Sequence, residues 1–123
     1  MKSDRKLLAS AAFAGALSVA VGAFGAHVVG GQAAEWLKTG GQYLMVHAAL
    51  AAAVAMWSQS GRMGRFAAWL ALSGGIVFCA ALTVLALTDI RVMGAVAPIG
   101  GALMIAGWIT LAVRAFRGHP AQI

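Results

Sequence analysis

At 123 residues the chain is the length of one domain, and with 62% hydrophobic and only 10% charged residues it has too little charge to cover a soluble domain of that size. An ordinary soluble globular protein is therefore excluded, and the bilayer is the natural solvent. The net charge of +6 does not signify nucleic acid, because the nine Lys and Arg lie in pairs and triplets between apolar runs and form no contiguous basic face.

The apolar runs predict an all-α membrane protein with four transmembrane helices, at about residues 7–29, 40–58, 65–87 and 93–116. Lys2, Arg5 and Lys6 ahead of an alanine-rich run imitate a secretory leader, with Ala23-Phe24-Gly25 resembling a cleavage site. That run stays apolar through Val29, longer than a leader core, and reads as a span. Ser3 or Asp4 is expected to cap the first helix. Gly30-Gly31 and Gly40-Gly41 bracket residues 32–39, which read as a short outer interfacial helix anchored by Trp36, between helices 1 and 2. Thr39 and Gln42 form a capping-box pattern for the second span, and Thr88 or Asp89 is expected to cap the fourth.

Loop charges set the orientation. With the N-terminus inside, Lys2, Arg5, Lys6, Arg62, Arg65, Arg114 and Arg117 lie on the cytoplasmic side and only Lys38 and Arg91 outside. Seven against two predicts both termini in the cytoplasm.

The spans are rich in small residues. Gly15, Gly22 and Gly25 on the first, Gly74 and Gly75 on the third, and Gly94, Gly100 and Gly101 on the fourth are expected to let helix backbones approach closely. Replacing Gly22 by Leu should then force two backbones apart. Pro98 removes a hydrogen bond to the carbonyl of Gly94 and is expected to bend the fourth helix.

No Asp, Glu, Lys or Arg lies deep in a span, which counts against proton-coupled transport. The remaining candidates, His27, Tyr43, His47, Cys79, Thr83 and Pro98, fall in the outer leaflet on these boundaries, with His47 about 10–12 Å below the outer end of its helix. Tyr43 and His47 are four apart and share a helix face. His27, Tyr43 and His47 are expected to converge between the first two helices and point into the bundle, with His47 bonding a backbone carbonyl freed by Pro98 or a hydroxyl such as that of Thr83. Zinc, copper or haem ligation by His27, His47 and Cys79 is conceivable from the donor types, but no ligand-spacing motif supports it and no cofactor is expected. The tryptophans Trp36, Trp57, Trp69 and Trp108 read as interfacial anchors or lipid-facing bulk. There is no nucleophile elbow, Ser-His-acid set, P-loop or dinucleotide fingerprint, so no enzyme is expected.

Gly22-Ala23-Phe24-Gly25-Ala26-His27, Gln42-Tyr43 with His47-Ala48, Pro98-Ile99-Gly100-Gly101 and Gly107-Trp108 together resemble the domain-of-unknown-function 423 family, which includes transmembrane protein 256 of eukaryotes. The resemblance covers about residues 7–112. It implies a four-span fold in the bacterial inner membrane and no assigned reaction. The chain departs from the family's pattern at Cys79-Ala80-Ala81-Leu82-Thr83, where a Ser-Gly-Ser stretch and a Tyr are usual, and at Ala97, where Thr usually precedes the proline.

Three readings of function stay open. The first is a non-enzymatic protein acting through helix–helix association, as a homo-oligomer or a subunit of a larger membrane complex, with membrane lipid as its surroundings. The second is a small channel or carrier for a neutral or weakly charged solute. The third is a metal- or haem-binding membrane protein.

Overall fold

The computed structural model describes residues 4–118, and these form four α-helices: α1 (Arg5–His27), α2 (Gly31–Ala55), α3 (Gly61–Thr88) and α4 (Met93–Arg117). No strand occurs among the described residues. Three of the helices, α1, α3 and α4, are long and apolar enough to cross a membrane. Helix α2 is as long as α4 but carries Glu35, Lys38, Gln42 and His47. The candidate cap Ser3 lies outside the described residues.

Asp4 caps α1 as its sequence position predicts: the Leu7 N–H donates to Asp4 Oδ1 at 3.0 Å. The Asp4 N–H donates in turn to the carbonyl of Ala55, which ties the start of α1 to the end of α2. Asp89 does not cap α4. It closes α3 in the left-handed region at φ 58°, a conformation that Asp tolerates, and its N–H returns to the Leu85 carbonyl at 2.8 Å. Thr88 Oγ1 donates to the Val84 carbonyl and accepts the Ile90 N–H, and α4 begins at Met93, with Val92 at the N-cap position and no side-chain cap.

The helices alternate in direction. The start of α1, the end of α2, the start of α3 and the end of α4 gather at one end, where Asp4 meets Ala55 and Arg65 and where Arg114 reaches Gln59 and Ser60. Packing follows chain order. α1 lies on α2, α2 on α3 and α3 on α4, with a slighter contact between α1 and α3. The two interior helices therefore have two neighbours each.

No separate interfacial helix forms. Residues 32–39 are the first turns of α2, which runs without a break through Gly40-Gly41, so Thr39 and Gln42 cap nothing. The glycine pair serves packing instead. Successive residues on a helix point about 100° apart, so neighbouring glycines address two different helices. A Cβ on Gly40 would lie 3.2 Å from Cys79 Cα on α3, and one on Gly41 would lie 2.9 Å from the Ser18 carbonyl oxygen on α1. On α3 the same device recurs. A Cβ on Gly74 would sit 2.6 Å from the Gly100 oxygen of α4, and one on Gly75 would sit 3.4 Å from the His47 Cβ of α2. Gly25, Gly100 and Gly107 make equally close approaches to α2, α3 and α3 respectively.

Four glycines expected at interfaces are not held there by a Cβ direction. Gly22, Gly94 and Gly101 point into open space, and Gly15 meets Ala48 only at ordinary contact distance. Gly22 still touches α2, but through its backbone, which is the floor beneath Gly41. The expected damage from Gly22→Leu is thus misassigned, because helix rotation places the crowding on the partner's glycine. Helix α4 continues through Pro98, whose side chain is exposed.

The core is thin and alanine-rich. Leu7, Leu37, Leu44 and Leu72 are the large fully buried side chains, and alanines such as Ala11, Ala51 and Ala71 fill the spaces between them. Large apolar side chains face outward, among them Phe13, Phe66, Ile99, Ile105, Ile109 and Phe116. An exposed apolar coat of this extent is foreign to a soluble monomer and normal for a chain solvated by lipid.

The glycine contacts predict opposite effects for two similar substitutions. Gly41→Ala should lower the thermal midpoint in detergent, at about 1–3 kcal/mol for overpacking against backbone. Gly22→Ala should be neutral or stabilising, since an open helix position favours Ala over Gly by about 0.5–1 kcal/mol. Thermal unfolding of the two variants side by side checks the pair.

Candidate functional site between α2, α3 and α4

Tyr43 and His47 do share a face of α2, and that face turns toward α3 and α4. His47 is 4% exposed and lies against Gly75 of α3. Its Nδ1–H donates to the Tyr43 carbonyl at 2.6 Å, and Trp108 of α4 donates Nε1–H to His47 Nε2 at 2.9 Å. An indole nitrogen can only donate, so Nε2 is the acceptor and Nδ1 holds the proton. The imidazole is therefore neutral, with both nitrogens engaged. Every buried side-chain nitrogen and oxygen among the described residues has a partner.

The rings stack around this bond. His47 and Trp108 meet edge to face with centroids 5.9 Å apart, and Tyr43 meets Phe78 edge to face at 5.0 Å. Between them lies a cleft of about 410 Å³ walled by Tyr43, His47, Phe78, Met104, Ile105 and Trp108. Gly101 leaves its floor open. Tyr43 is 47% exposed at the rim, where Gln42 and Val46 continue the surface.

The structure separates the other expected members of the cluster. His27 is exposed at the last turn of α1, beside the start of α2. His47 lies near the level of Gly15, whose Cβ direction meets Ala48. Twelve residues of α1, or about 18 Å at 1.5 Å per residue, separate that level from His27, so His27 and His47 cannot share a ligand. The cause is the true start of α2 at Gly31. Nine extra residues before Gly40 push His47 about 14 Å further from that end. Cys79 is buried against Gly40, with Sγ 4.0 Å from Thr83 Oγ1, and belongs to the α2–α3 contact. Pro98 lies ten residues before Trp108, about 15 Å along α4, and its freed carbonyl is not the partner of His47. Among the described residues no three His, Cys, Asp or Glu side chains gather as a metal site.

Sequence reasoning missed two residues. Trp108 reads as lipid-facing bulk, yet its indole is the donor to His47; the only hint is its place in the Gly107-Trp108 block. Arg114 reads as a topology charge, yet it is buried. Its Nε donates to the Ser60 carbonyl at 3.0 Å, Nη1 to the Gly118 carbonyl at 2.7 Å and Nη2 to the Gln59 carbonyl. Its guanidinium also lies 5.6 Å from the centre of the Trp57 ring. The planar fork thus joins the α2–α3 connection to the end of α4.

Residues 21–101 match the family described as protein of unknown function (DUF423). A UPF0382 membrane protein of Staphylococcus haemolyticus is 37% identical over 107 residues, which are 82% of this chain and 87% of the relative. The UPF0382 inner membrane protein YgdD of Escherichia coli K12 is 36% identical over 121 residues, 94% of this chain and 92% of the relative. No solved structure matches the chain.

Trp108→Phe keeps the ring but orphans His47 Nε2, and should lower stability in detergent by about 1–3 kcal/mol. A thermal midpoint equal to that of the unaltered protein would remove the bond's structural importance. Arg114→Lys retains the charge and so the orientation in the membrane, but a single ammonium cannot span the same carbonyls. Its expected signature is unchanged topology with faster proteolysis at the α2–α3 connection.

Proposed function

The chain belongs to the DUF423 family of membrane proteins of unknown function, and from that premise we propose a four-span protein of the bacterial inner membrane, both ends cytoplasmic, that acts by packing against a further membrane helix rather than by catalysis. The observation that carries the reading is the outer face of α1. Ala11, Ala14, Ser18 and Gly25 are buried on one side of this helix. Ala9, Ala12, Ala16, Ala20 and Ala23 are exposed and recur at spacings of three, four, four and three, which places them together on the opposite side. Phe13, Leu17, Val19 and Phe24 flank this alanine strip on α1, whereas on α4 Ile99, Ile105, Ile109 and Phe116 occupy the outer side itself. Bulky side chains suit lipid, whereas small ones let a second backbone approach.

Four spans are favoured by the level ends of α2. It lies antiparallel between α1 and α3 over 25 residues, about 37 Å, and if its neighbours cross the bilayer so does α2. Its polar residues Gln32, Glu35 and Lys38 sit in the first turns, and His47 is shielded by Trp108. The orientation is favoured by charge. One end of the bundle carries Arg5, Lys6, Arg62, Arg65, Arg114 and Arg117 against Asp4, while the other carries Lys38 and Arg91 against Glu35 and Asp89.

A cysteine in place of Ala16, in a Cys79→Ala background, should cross-link under mild oxidation in native membranes. A homodimer would identify the further helix as a second copy, and a heavier adduct would identify a partner subunit. An Ile105→Cys control should stay uncross-linked. No product at Ala16, or equal products at both positions, would defeat the association reading.

A further inference from the structure

A second cleft, larger than the one beside His47, lies far from it, where the start of α2, the end of α3 and the start of α4 meet. It measures about 620 Å³ and is open to the outside. Its inner wall is apolar, formed by Trp36, Leu85 and Ala86, with Ala33 and Gly94 beside them. Its rim is polar and carries Gln32, Asp89 and Arg91. A cleft graded from apolar depth to charged rim, set at the helix ends, matches the gradient between acyl chain and headgroup at a bilayer surface.

The charges at this end specify the headgroup. Arg91 Nε and Asp89 Oδ1 are 3.9 Å apart, a long ion pair, and the two side chains are 88% and 70% exposed. Such a pair contributes little by itself and leaves both groups free to engage other charges. Asp89 is held by the left-handed turn that ends α3, whose geometry is fixed by the Thr88 hydroxyl and the Leu85 carbonyl. Nearby on α2, Lys38 pairs with Glu35 at 3.2 Å. This end is thus balanced, two cations against two anions, whereas the opposite end has six cations against Asp4 among the described residues. An anionic lipid has its complement at the basic end. At the balanced end a phosphate beside Arg91 also meets the Asp89 carboxylate, and only a headgroup that brings its own cation satisfies both.

We propose that the Gln32–Trp36–Leu85–Asp89–Arg91 cleft binds a zwitterionic phospholipid headgroup bearing a primary ammonium, that is, phosphoethanolamine on a diacyl lipid. The Arg91 guanidinium takes the phosphate and the Asp89 carboxylate takes the ammonium, both as charge-assisted hydrogen bonds. Trp36 and Leu85 receive the glycerol and the first methylenes. The inference rests on the reading that the helices cross a bilayer, since only then does the cleft lie at headgroup level.

Native mass spectrometry of the full-length protein in detergent tests it, with equimolar phosphatidylethanolamine and phosphatidylglycerol added. The expected result is retention of one phosphatidylethanolamine with about tenfold preference, the ratio that one charge-assisted hydrogen bond supplies. Arg91→Gln should abolish retention at this site, and Asp89→Asn should erase the preference while keeping the left-handed turn, which Asn also tolerates. Arg62→Gln at the opposite end should leave the preference unchanged. Equal retention of the two lipids by the unaltered protein, or retention indifferent to Arg91→Gln, overturns the proposal. Free phosphoethanolamine competing as well as the lipid overturns it too, by making the ligand a soluble zwitterion. Alkaline extraction of native membranes separates failure of the underlying reading: a chain released into the wash does not cross the bilayer, whereas a retained chain without lipid preference sinks only the headgroup site.

Discussion

The arrangement depends on backbone-to-backbone contact at the two interior helices. Between helices in lipid there is no gain from hiding apolar surface, so association rests on close packing. α2 and α3 must each be close to two partners, and adjacent glycines do this in both. Gly40 and Gly41 open α2 toward α3 and α1, and Gly74 and Gly75 open α3 toward α4 and α2. A Cβ at Gly41 or Gly74 would stand within 3.0 Å of a neighbour's main chain, so these contacts fix axial register as well as distance.

That register determines the chemistry of the interior. With Gly75 against Leu44 and His47, and Gly107 against Ala71, His47 comes within reach of the Trp108 indole and each histidine nitrogen finds a partner. A polar group at that depth is costly unless paired. The same register delivers Arg114 to the carbonyls of Gln59 and Ser60, where backbone dipoles and the Trp57 ring surround the guanidinium. The other charged and amide side chains of α2, Gln32, Glu35, Lys38 and Gln42, are exposed, so His47 is the polar group that this register has to satisfy.

The two ends of the bundle are electrostatically different. At one end Asp4 is the single acid among six basic side chains, and at the other the charges balance. The basic end is complementary to an anionic membrane surface. The balanced end leaves its charges available for weak, exchangeable contacts.

The all-α class, the Asp4 cap, the charge asymmetry and the family were all legible from the residues themselves, because hydropathy runs, capping and charge counts are local or one-dimensional properties. The reading went astray where a residue's role depends on which neighbour lies beside it. Gly40-Gly41 reads as a chain break, but in the fold it is a double contact inside a continuous helix, and the nine-residue error in the start of α2 carried His47 away from His27. Gly22 and Gly101 read as contact residues although their Cβ directions face open space. Trp108 and Arg114 lie 61 and 54 residues from the groups they bond, beyond the reach of any helical periodicity. Rotation of each helix about its axis and its shift along that axis are set by close packing with neighbours, and only the tertiary structure decides them.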